Sequence, residues 1–74
     1  MTAHDEATLT GRFRSTEEAQ QAILDLITAG FDKQQVSLVR KPQGATVVIS
    51  GLNGRRARAE GILRRDRGET ELLV

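Results

Sequence analysis

From Thr8 to Arg14 apolar and polar residues alternate with a period of two. Leu9, Gly11 and Phe13 share one face; Thr8, Thr10, Arg12 and Arg14 share the other. That spacing predicts a half-buried strand. Ser15 follows with Glu18 three residues on, the spacing of a capping box. The period then changes: Ala19, Ala22, Ile23 and Leu26 recur at helical intervals. A helix is expected over residues 15–29, stopped by Gly30, with Phe31 folding back onto its last turn. Asp32 to Gln35 reads as a short loop.

Val36 to Arg40 predicts a second strand and Lys41-Pro42-Gln43-Gly44 a turn. Ala45 to Ser50, apolar on both faces through Val47-Val48-Ile49, predicts a third strand at the centre of a sheet. Gly51-Leu52-Asn53-Gly54 leads into a second helix over residues 53–67, with Asn53 as its cap. Leu52, Ala59, Ile62 and Leu63 form its buried stripe and Gly68 is its stop. Residues 69–74 make a last strand. Two β-α-β units joined by a hairpin give one α+β domain over residues 8–74, after a polar leader of residues 1–7. The expected fold is a ferredoxin-like βαββαβ sandwich. Right-handed crossovers put both helices on one face of a four-stranded antiparallel sheet. The first and third strands are central and the second and fourth are edges.

The run Phe13-Arg14-Ser15-Thr16-Glu17-Glu18-Ala19, then Ala22-Ile23, Leu26, Ala29-Gly30-Phe31 and Val36-Ser37-Leu38-Val39, resembles the opening of small bacterial general stress (heat-induced stress) proteins. In that family a strand leads into a helix that ends in a leucine, a glycine and an aromatic residue. The resemblance covers residues 8–40. It implies a small bacterial cytoplasmic protein linked to stress, with no established chemistry. It supplies no functional residues to transfer.

Composition narrows the chemistry. With 74 residues and no cysteine, neither a disulfide nor a thiolate site is available, and stability must come from core packing. The single histidine, His4, sits in the leader, which argues against zinc. No apolar run exceeds three residues, so no membrane span or secretory segment is visible and a cytoplasmic location is expected. Beginning at Met1, the chain reads as a complete small protein. No nucleophile motif accompanies a base within the domain, so no enzyme and no cofactor are expected.

Charge is divided rather than large. The net charge is +1, yet residues 1–32 carry a net −4 and residues 55–67 a net +4. The basic segment supplies Arg55, Arg56, Arg58, Arg64 and Arg65 as candidate contacts for phosphate or an acidic partner. The bland alternative is a solvated helix face with Arg56–Glu60 as a local ion pair. The GxxG loop at Gly51–Gly54 offers backbone N–H groups to an anion, but it lacks the lysine and hydroxyl residue of a P-loop. The open sheet face should carry Thr8, Thr10, Arg12, Arg14, Thr46, Val48 and Ser50, with Glu71 as a cross-strand partner for Arg12. Phe13 and Phe31 both read as core, so this face has no aromatic on which bases could stack.

Leu24 falls well off the buried stripe of the first helix and Ile27 sits at its edge. The Leu72-Leu73-Val74 end of an edge strand lacks a blunting lysine or proline. Leu24, Ile27 and Leu73 are therefore the candidate self-association residues, in a homodimer. The expected function is a small interaction or regulatory module acting through contacts with a protein partner. The alternative is a nucleic-acid or anion-binding module using the arginine-rich second helix.

Overall fold

The computed structural model describes residues 8–52 and 54–73. The elements run β1 (Thr8–Phe13), α1 (Thr16–Thr28), a single 3-10 turn (Lys33–Gln35), β2 (Val36–Lys41), β3 (Gly44–Ile49), α2 (Arg56–Arg65) and β4 (Glu69–Leu73). The sheet is antiparallel throughout, in the order β2-β3-β1-β4. This is the expected α+β, ferredoxin-like arrangement, with β1 and β3 central. Among the described residues no helix is long and apolar enough to cross a membrane.

One face of the sheet is covered. Leu9, Phe13, Ala45, Val47 and Ile49 point into a core that α1 closes with Ala19, Ala22 and Leu26, and α2 with Ala59, Ile62 and Leu63. No buried polar or charged residue interrupts this core among the described residues. Ile23 is only partly buried and packs at its margin. The opposite face carries Thr8, Thr10, Arg12, Ser37, Val39, Thr46, Val48, Glu69 and Glu71, as the strand register dictates.

The ends of α1 follow from local chemistry. Ser15 Oγ accepts from the Glu18 amide at 3.2 Å. At the other end Gly30 has φ +105°, its amide donates to Ile27, and the Phe31 amide donates back to Leu26. That is the Schellman pattern, and it leaves Phe31 buried.

Three local expectations change. Residues 32–35 are an ordered, doubly capped turn rather than a plain loop: Asp32 accepts from the Gln34 amide and the Gln35 side chain accepts from the Asp32 amide. The second helix is shorter than expected, and Arg55, without a side-chain cap bond, occupies its N-cap. Asn53, the expected cap, lies outside the described residues, as do the leader and Val74. Finally, α2 is ended by Arg67, not Gly68. Arg67 takes the left-handed conformation (φ 74°) and donates to Arg64, while the Gly68 amide donates to Leu63. Gly68 is needed for another reason: a Cβ there would stand 2.6 Å from the Phe13 ring.

Candidate functional site

The five candidate arginines do not form one row. Arg55 lies over the Phe31 ring, 4.3 Å from its centroid, and donates to the Gly30 carbonyl at 3.4 Å. It therefore ties the start of α2 to the end of α1. Arg64 pairs with Glu60 at 2.8 Å and donates to the Thr70 hydroxyl at 3.2 Å; that hydroxyl in turn donates to Glu60. The expected Arg56–Glu60 pair is thus replaced by Glu60–Arg64. The physical reason is orientation: an acid N-terminal to its base at i,i+4 agrees with the helix dipole, and the reverse order does not. Arg65 reaches across to Asp25 of α1 at 3.6 Å. Only Arg56 and Arg58, among these five, are exposed without an ion pair among the described residues.

The Gly51–Gly54 loop is held from behind. The Gln35 side-chain amide donates to the carbonyls of Ser50 and Gly51, at 3.1 and 2.6 Å.

A carboxyl pair sits beside the helix seam. One Asp66 carboxylate oxygen is buried without a hydrogen-bond partner. Burial, then the facing Asp25 carboxylate, push the Asp66 carboxyl up to about 6, against the pull of Arg65. The facing Asp66 carboxyl, with smaller help from Gln21 and Arg65, holds Asp25 below the usual carboxylate range, although its own partial burial opposes this.

On the outer side of α1, Leu24 is 58% exposed and Ile27 36% exposed. They stand three residues apart and so share one helix face. Leu73 pairs with Thr8 on the edge strand β4, but its side chain lies outside the described part. On the open sheet face Arg12 pairs with Glu69 at 2.8 Å rather than with Glu71. Glu69 is the residue directly opposite Arg12, whereas Glu71 stands opposite Thr10.

One surface was missed from the sequence. At the hairpin end of the sheet Arg12, Arg14, Lys41 and Arg67 line an open cleft of ≈ 590 Å³, together with Glu18 and Glu69. Its cations come from three separate segments, so no local motif announces them. Among the described residues no group of three or more metal-ligating side chains is brought together. Comparison with known protein families, with curated proteins and with solved structures found no match.

Proposed function

We propose that this chain is a small non-catalytic interaction module that works through protein contacts and self-associates through the outer face of α1. One observation carries the reading: Leu24 and Ile27 place two large apolar side chains together on the outer side of a helix whose inner stripe, Ala19, Ala22 and Leu26, is already buried. Closed two-fold contacts are the commonest way to cover such a face. The edge of β4, where Leu73 lies and which no other described strand pairs, is the second surface proposed for the same purpose. The link to bacterial stress and to the cytoplasm rests on the resemblance of residues 8–40. Sedimentation at tens of micromolar should give twice the monomer mass, and Leu24→Glu should return it to monomer. A parent that sediments as a clean monomer of 8.1 kDa would overturn the proposal.

A second reading has its own observation. Arg56 and Arg58 are exposed on α2 without carboxylate partners among the described residues, which favours contact with nucleic-acid phosphates. Binding to a mixed nucleic-acid pool should then fall steeply with salt and vanish in the doubly substituted Arg56→Gln, Arg58→Gln chain. Absence of binding at low salt removes this reading.

A further inference from the structure

We propose that the cleft at the hairpin end of the sheet, bordered by Arg12, Arg14, Lys41 and Arg67, binds a small anion through its phosphate groups. The charge balance is the first support. Four cations face two carboxylates around the lining, and one of those carboxylates, Glu69, is already held by Arg12 at 2.8 Å. No carboxylate stands within 4.0 Å of the charged groups of Arg14, Lys41 or Arg67 among the described residues. Three cations in one concavity repel each other unless a shared counter-anion joins them.

The second support is how the backbone assembles the cleft. Gly44 packs its Cα against the Phe13 carbonyl, which draws the β2–β3 hairpin and Lys41 toward the end of β1. Gly68 packs against the Phe13 ring, which draws the α2–β4 turn and Arg67 to the same place. Arg67 itself holds φ 74°, a conformation uncommon for a residue with a Cβ. Arginine also offers a planar fork suited to phosphate oxygens.

The third support concerns which phosphate ligand fits. At ≈ 590 Å³ the cleft lies within the size range of small-molecule sites. Glu18 and Glu69 share the lining with the cations, which disfavours a long polyanion over a compact one. The one aromatic ring in the lining, Phe13, is buried, so a base has no aromatic ring to stack on. Inorganic polyphosphate and a nucleotide should therefore be bound through the same chemistry, and bound alike.

Titration calorimetry of the full chain with sodium tripolyphosphate and, separately, with ATP tests this. One-to-one saturable binding is expected with both at low salt, weakening as salt screens the contacts, with the two affinities within about threefold. Arg14→Gln combined with Lys41→Gln should lower affinity by about tenfold or more. The charge-preserving exchange Arg14→Lys with Lys41→Arg should retain it, and so should Arg56→Gln with Arg58→Gln. Arg14 and Lys41 are exposed, so the Gln variant should melt like the parent. Absence of saturable binding, or equal loss on removing the α2 arginines, would overturn the site. ATP binding more than tenfold tighter than tripolyphosphate would overturn recognition by phosphate alone.

Discussion

Gly44 stands directly against the carbonyl oxygen of Phe13, with φ +146°, so that a Cβ added there would overlap backbone. The β2–β3 hairpin turns through Pro42 and Gln43, and Lys41 pairs with Gly44 at its mouth. Two requirements coincide at one position: a φ that glycine alone adopts readily, and a backbone contact that no rotamer change can relieve. Gly44→Ala should therefore destabilise the domain by about 3 kcal/mol or more, toward the severe end for point substitutions. Chemical denaturation measures this; a loss below about 1 kcal/mol would mean that the hairpin moves aside freely.

Arg67 gives the opposite expectation. Its left-handed conformation terminates α2, yet a side chain there costs roughly 1–2 kcal/mol relative to glycine, partly offset by glycine's greater unfolded-state entropy. Arg67→Gly should raise stability by roughly 0.5–1 kcal/mol. The same substitution removes one of the cations of the hairpin-end cleft, so a gain in stability should accompany weaker tripolyphosphate binding.

Leu26 has no exposed surface and packs where α1 meets the sheet. Leu26→Ala should cost on the order of 2–5 kcal/mol, the range for a leucine whose cavity cannot collapse. A domain that melts like the parent would contradict the assigned core face. Leu24→Ala, two residues earlier and largely exposed, should cost under about 0.5 kcal/mol in the monomer.

Wherever the physics is local, the sequence was readable. The period-two run at β1, the Ser15 cap, the helical stripe through Ala19, Ala22 and Leu26, and the Gly30–Phe31 stop depend on steps of at most five residues, and each stands as expected. Strand order was legible too, because two β-α-β units of one hand leave few topologies. What escaped was register and long-range company. Arg12 meets Glu69 instead of Glu71 because β4 starts immediately after the Arg67–Gly68 turn, and that turn is fixed by the distant Phe13 ring. Arg55 stands among the candidate phosphate or partner contacts of the sequence because nothing near it shows that Phe31 will lie beneath it. The hairpin-end cleft was invisible for the same reason: Arg14, Lys41 and Arg67 are neighbours only after folding.

Asp66 makes stability depend on pH in a direction opposite to the usual carboxylate. Its folded pKa, about 6, lies above the ordinary value of 3.8. Between those values the folded chain holds a proton that the unfolded chain has released, so stability must fall as pH rises from about 4 to about 6 and then level off. Asp25 acts only lower down: held below its ordinary value, it contributes stability that is lost as pH drops beneath 3.8. The groups that set the behaviour come from both helices, Asp25 of α1 and Arg65 of α2. Asp66 is far from fully buried, so solvent screening should keep the effect under about 1 kcal/mol. In a domain this small that corresponds to a melting shift of at most about 4–8 °C. The measurement belongs in a His4→Ala background, which removes the one histidine of the chain. There the parent should melt lower at pH 7 than at pH 5. Asp66→Asn, which cannot ionise, should lose that difference and melt at pH 7 as high as the parent does at pH 5. Parallel curves for the two chains between pH 4 and 6 would show that Asp66 holds no extra proton in the folded state.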